Sequence, residues 1–236
     1  MDRQEDAPHG RGGIELDRLL LFSDAVFAIA ITLLVLELKV PERESIRSGG
    51  ELLAALGGEL AKFAAFFISF AVIGVYWIAH HRMFRCLRRC DEVLVALNLV
   101  LLLFVAFLPF PVALFGAWRR DPVAIGWYVT SVALSGLSLN LLWWYATGRR
   151  RLVSPDFDRR IVAYIQFRAA FVPIVFAISL PFAFVSPMWT SFSAIATIPF
   201  MRFIGGRLER AAKAAERESQ AALPAAAPVV DPAPGP

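Results

Sequence analysis

Six apolar stretches follow one another along this chain, each close to the ~20 residues that a helix needs to cross a bilayer core. They lie at about Leu16–Val40, Leu52–Ala79, Val93–Trp118, Pro122–Thr147, Ile161–Val185 and Met188–Ile204. The sixth is short and is interrupted by Pro199. Hydrophobic residues make up 58% of the 236, above the roughly 45–50% usual in soluble domains, and the mean hydropathy is +0.59. A soluble domain of this length has too little interior for so much apolar surface, whereas a bilayer supplies it. The sequence therefore predicts an all-α, polytopic membrane protein with six transmembrane helices. Pro109, Pro111, Pro173 and Pro181 fall inside spans and predict kinks, with neighbouring helices taking up the freed carbonyls.

Loop charge sets the expected orientation. Arg82, Arg85, Arg88 and Arg89 follow the second span, Arg149, Arg150, Arg151, Arg159 and Arg160 the fourth, and Arg202, Arg207, Arg210 and Lys213 the sixth. The alternate loops are poorer in cations: Arg43 and Arg47 are offset by Glu42 and Glu44, Arg119 and Arg120 stand in the third, and the loop at Ser186 and Pro187 has none. An even number of spans with both termini cytoplasmic fits this pattern. Three segments are expected: a cytoplasmic N-terminal segment (1–15), a six-helix transmembrane domain (16–205) and a cytoplasmic tail (206–236). The tail is Ala- and Pro-rich after Arg217 and is predicted to be disordered. The polar first fifteen residues and the long apolar run after them argue for a retained helix rather than a signal peptide. Arg dominates the cations, with only Lys39, Lys62 and Lys213 as lysines. That bias and the abundance of Ala suggest a GC-rich bacterial genome, and hence a bacterial inner membrane.

Several function classes are disfavoured. The net charge of +4 comes from Arg residues flanking apolar spans rather than from a basic stripe on a soluble fold, so nucleic acid is not an expected partner. Cys86 and Cys90 are read as one helical turn apart in a basic segment. With His80 and His81 nearby they make a poor zinc site, because a second Cys pair is missing, and a disulfide is not expected on a cytoplasmic loop. No cofactor is expected. Neither H-E-x-x-H nor G-x-S-x-G occurs, and paired catalytic acids are absent, so the chain does not read as an enzyme.

The first span is unusual because Asp24 lies in an apolar run, where a carboxylate costs several kcal/mol unless paired. It reads as a helix–helix staple, a gate or a proton site. At ~100° per residue, Ile29, Thr32, Leu33 and Leu36 share one stripe, with Ser23 and Asp24 pointing well away from it. An apolar stripe of this kind also suits ordinary packing or lipid contact.

The segment Arg18-x-x-x-Phe22-Ser23-Asp24, followed by Ala-Val-Phe-Ala-Ile29-Ala-Ile-Thr32-Leu33-Leu-Val-Leu36-Glu37, closely resembles the first-helix signature of the transmembrane protein 175 family, whose members are potassium channels. Tyr76-Trp77-Ile-Ala-His80-His81-Arg-Met-Phe84 and the run from Asn98 to Phe107-Leu-Pro109-Phe-Pro111 are also family-like. The resemblance is specific over roughly the first 115 residues; later spans match in layout more than in motif. It implies a homotetramer in the lipid bilayer, with potassium ions passing passively through a hydrophobic constriction formed by the pore-lining first helix. By the same resemblance, Ile29 matches the main constriction, Thr32 a polar layer one turn outward, and Leu33 and Leu36 the rest of the lining. Arg18, Phe22, Ser23 and Asp24 match a network anchoring this helix, with Trp77, His80 and Asn98 as partners. A metal enters only as permeant potassium.

Physical chemistry permits that scheme. The chain has no T-V-G-Y-G filter, so selectivity would not come from a carbonyl cage. An apolar ring still selects, because it strips water and potassium holds its water less tightly than sodium does. Two residues sit awkwardly. Arg18 falls near the Ile29 stripe, so it must splay or turn to a carboxylate such as Asp17 or Asp91. Glu37 either draws cations to the outer mouth or is simply solvated. His80 and His81 are candidate pH sensors or plain packing and surface residues. Gly74, Gly126 and Gly136 read as close-contact positions. The rival functions are a proton-permeable channel and an ion-coupled secondary transporter. The scarcity of mid-membrane polar groups disfavours the transporter.

Overall fold

The computed structural model describes residues 11–42, 46–118, 120–148 and 152–153, and beyond them Gln166, Ala170, residues 173–176 and Ile178. Those residues are helical apart from short connections and one isolated antiparallel bridge, Leu87 with Val153. Four stretches are long and apolar enough to cross a membrane: Ile14–Glu37, Leu60–Phe84, Glu92–Ala117 and Pro122–Thr147. At 1.5 Å per residue each reaches about 36 Å or more, longer than the ~30 Å hydrocarbon core. Most of the fifth expected span and all of the sixth lie outside the described residues, as do most of segment 1–15 and the tail.

Helix α1 (Arg11–Leu33) winds into a 3-10 turn over Leu34–Glu37 and then becomes extended at Leu38. Pro41 follows soon after, and the residue before a proline is pushed out of helical geometry. Short helix α2 (Gly49–Gly58) starts on Ser48, whose Oγ accepts the Glu51 N–H at 3.3 Å, while Glu51 Oε2 accepts the Arg47 N–H at 2.6 Å. None of its residues is buried.

The second span departs from expectation. The sequence suggests one helix from Leu52 to Ala79, but α2 stops at Gly58 and α3 runs from Leu60 to Phe84. Gly57 and Gly58 are weak helix formers, and the break falls at Glu59, whose N–H bonds back to the Leu56 carbonyl at 3.1 Å. At the other end, α3 outruns Ala79 by a full turn, burying Met83 and Phe84. Cys86 and Cys90 therefore sit in the connection after α3 rather than on a helix. Both thiols are free, and burial pushes both up from their usual pKa, Cys90 further raised by Asp91 and Glu15.

The third span breaks where its prolines stand. Helix α4 (Glu92–Phe107) and α5 (Pro109–Ala117) meet at Leu108, whose N–H bonds to Val105 at 3.2 Å in a tightened turn. Pro109 and Pro111 have no N–H to continue the ladder. Helix α6 (Pro122–Thr147) matches the expected fourth span. It is capped by Asp121, which accepts the Val123 N–H at 2.8 Å, with Pro122 at its first position.

The packing is layered. Helix α6 packs on α4 and α5, and α1 packs on α3 and α4. Trp143, Leu139, Leu142, Ile125 and Val129 of α6 are fully buried. Hydroxyls satisfy one another in the seam between α3 and α6. Tyr76 Oη donates to the Val132 carbonyl at 2.8 Å, and Ser69 Oγ lies 3.3 Å from Tyr128 Oη. Gly136 allows the closest approach: a Cβ there would lie 2.7 Å from Tyr76 Oη and 2.8 Å from Pro173.

Candidate functional site

Helix α1 has two unlike faces. Leu16, Leu19, Ser23, Phe27, Ala30 and Leu34 recur at intervals of three and four, and all are buried against α3 and α4. The opposite face is not covered by the other described helices. Ile29 is 58% exposed and Leu36 70% exposed, and Thr32 and Leu33 lie between them on the same side. The four stripe residues thus share an uncovered face, in the arrangement that helical spacing predicts.

A polar relay fixes the buried face. Ser23 Oγ donates to the Leu19 carbonyl at 2.7 Å and accepts from Asn98 Nδ2 at 2.8 Å. Asn98 Oδ1 lies 2.9 Å from His80 Nε2. All three side chains are fully buried. The His80 ring sits between Phe27 and Phe84, with centroid separations of 5.5 and 4.1 Å. One turn of each helix is thereby tied to the others: α1 through Ser23, α4 through Asn98 and α3 through His80. Groups satisfied this way inside an apolar bundle cost little, whereas the other His80 ring nitrogen, Nδ1, is buried with no hydrogen-bond partner among the described residues and carries a desolvation penalty.

Asp24 is held separately. It is half-buried, and its Oδ1 accepts the Trp77 indole N–H at 2.8 Å. Trp77 in turn stacks loosely on His81, centroids 5.7 Å apart. A carboxylate in an apolar span needs such a donor, and this one joins α1 to α3.

Of the seven residues expected in the anchoring network, Ser23, Asp24, Trp77, His80 and Asn98 come together in these two contacts. Arg18 and Phe22 do not. Both are exposed on the uncovered side of α1, and Arg18 has no bonded partner among the described residues. Asp91, a suggested counter-ion for Arg18, is engaged elsewhere: its Oδ1 accepts the Leu94 N–H and its Oδ2 the Tyr145 hydroxyl, at 2.8 and 2.7 Å. Glu37 is half-buried, unlike the exposed Leu36 before it, and both lie in the 3-10 turn, where each residue rotates ~120° rather than ~100°.

Thr32 has a constrained hydroxyl. Its Oγ1 lies 3.0 Å from the Ala28 carbonyl and 2.9 Å from that of Ile29. The proton is directed back into the helix, leaving the oxygen lone pairs on the exposed side. On that face the group offers an acceptor without an aimed donor, which suits a cation. Tyr76 and the Asp91–Tyr145 pair escape sequence reasoning, since nothing in local spacing links partners 56 and 54 positions apart.

A profile of the family described as "Endosomal/lysosomal potassium channel TMEM175" matches residues 18–109. A potassium channel of Streptomyces collinus is 36% identical over 176 residues, covering 73% of this chain and 84% of that one. A potassium channel of Chamaesiphon minutus is 37% identical over 180 residues, covering 75% and 88%. The crystal structure of a lysosomal potassium-selective channel TMEM175 homolog from Chamaesiphon minutus superposes with a TM-score of 0.70 at 32% identity, over 80% of this chain and 97% of that one.

Proposed function

The chain belongs to the TMEM175 family, and from that premise we propose that it is a potassium channel of the cell membrane, passing K+ down its gradient through a pore lined by α1 of four copies. The observation that carries this reading is the two-sidedness of α1. One side is locked to its own subunit through Ser23, Asn98 and His80 and through Asp24 and Trp77. The other side is left uncovered by the other described helices, with Ile29, Thr32, Leu33 and Leu36 along it.

A ring of Ile29 side chains would make the narrowest collar. It offers an ion no ligands, so passage requires partial loss of the hydration shell. Potassium loses water more readily than sodium, which gives preference without a carbonyl cage. Thr32, with its lone pairs facing outward, replaces part of the lost shell one turn away. An apolar collar also closes by drying. Leu33 and Leu36 continue the lining. The cation-rich segment 82–89 and the N-terminal start of α1 lie at one end of the bundle, so by the positive-inside tendency that end is cytoplasmic.

Purified protein in liposomes should carry potassium without any coupled ion, and Ile29→Asn should raise conductance while weakening potassium preference over sodium. A strict requirement for a sodium or proton gradient would instead indicate a coupled carrier. An unaltered conductance and preference in Ile29→Asn would remove Ile29 from the constriction.

A further inference from the structure

At the end of the bundle away from the N-terminus, a cavity of about 300 Å³ opens between the last turn of α1, the start of α3 and the end of α5. Three spans terminate around it, at Glu37, Leu60 and Ala117, so it sits at the depth where hydrocarbon gives way to headgroups. Trp118 on its edge is 62% exposed, as interfacial anchors are. Its walls are of two kinds. Leu34, Phe66 and Leu114 are apolar, while Glu37, Lys39 and Lys62 bring charge.

The charges are not equivalent. Lys62 is paired with Glu59 at 2.6 Å, and its stem lies 3.4 Å from the position of a Cβ on Gly116, so Gly116 leaves room for it. Glu37 and Lys39 have no ion-pair partner among the described residues. Among the described residues, the cavity therefore presents a carboxylate and an ammonium without an ion-pair partner, and an apolar wall. A simple anion would meet Glu37 unfavourably, and a simple cation would meet Lys39. A molecule carrying both signs beside a hydrocarbon chain satisfies all three features.

We propose that this cavity binds a zwitterionic phospholipid with a primary-amine headgroup, its phosphate on Lys39, its ammonium on Glu37 and its upper acyl chain along Phe66 and Leu114. Such a lipid braces the far end of α1 against α3 and α5, where the 3-10 turn ends at Leu38, closed by a single backbone bond from the Leu38 N–H to the Val35 carbonyl at 3.0 Å.

The test is native mass spectrometry of the full-length protein released from nanodiscs of phosphatidylethanolamine and phosphatidylglycerol in equal parts. Wild type should retain the amine lipid over the anionic one by about twofold to fivefold, the range that half-exposed ionic contacts support. Glu37→Gln with Lys39→Gln should abolish the preference. Ala113→Phe, which fills the cavity, should lower the retained lipid by one per subunit, with size-exclusion behaviour unchanged as the check on folding. Preferential retention of phosphatidylglycerol, or no retained lipid because a neighbouring copy fills the space, overturns the proposal. The lipid competition on wild type decides the matter even if either variant fails to fold.

Discussion

Asn98 shows how much a single side chain holds. Its amide donates to Ser23 on α1 and its carbonyl oxygen meets His80 on α3, all without water contact. Asn98→Ala leaves both partners short of a bond in an apolar setting, and the protein should lose about 1–3 kcal/mol of stability. Thermal unfolding in detergent, followed by tryptophan fluorescence, measures the loss; an unshifted midpoint would mean that the relay adds nothing. Thr32 makes the complementary case on the other face. Thr32→Ala removes the outward oxygen without disturbing packing, since the side chain is exposed. Reversal potentials under mixed potassium and sodium should show weaker discrimination with the total current retained. Unchanged permeability ratios would take Thr32 out of the selective path.

Spacing read along one helix predicts which residues share a face, and for α1 it succeeds: the division between the Ile29 side and the Ser23 side follows from 3.6-residue periodicity. Proline chemistry likewise locates the break at Leu108, and Asp121-Pro122 marks the start of α6. What spacing misses is of two kinds. Breaks without proline, such as Glu59 after two glycines, are weak signals inside an apolar run. Contacts between helices leave no local trace, which is why spacing alone does not single out Tyr76; the place of Arg18 in the anchoring network rests on the family resemblance, and in this subunit Arg18 is exposed. The role of Gly136 is also an inter-helix fact. A methyl there would intrude on Tyr76 Oη and Pro173 within 2.8 Å, so Gly136→Ala should force the seam apart and cost about 1–3 kcal/mol, as overpacking does. Gly57→Ala, with nothing within 4 Å of the added carbon, is the control that should be tolerated. Equal unfolding midpoints for the two variants would contradict the close-approach role.

For the whole molecule, the apolar area left on α1 is the feature that most needs explaining. Exposed large side chains also line α4 at Leu99 and Leu103 and α6 at Leu137 and Trp144, and lipid suffices for those. The α1 face differs by carrying Arg18, Thr32 and a run of small residues, Ala25 and Ala28, among its large ones. In the proposed pore, Thr32 and the small residues would line the shared axis, while Arg18 must turn aside at the mouth, because a ring of guanidinium groups on the axis would repel cations.

Cysteine substitution in a Cys86→Ser, Cys90→Ser background distinguishes these two environments directly, since both native cysteines are free thiols. Ile29→Cys and Leu36→Cys channels, recorded during exposure to a cationic methanethiosulfonate reagent, should lose potassium current progressively. Leu103→Cys, equally exposed but on α4, should be indifferent. Block at Leu103 with none at Ile29 or Leu36 would place the α1 face against lipid and contradict the pore assigned to it.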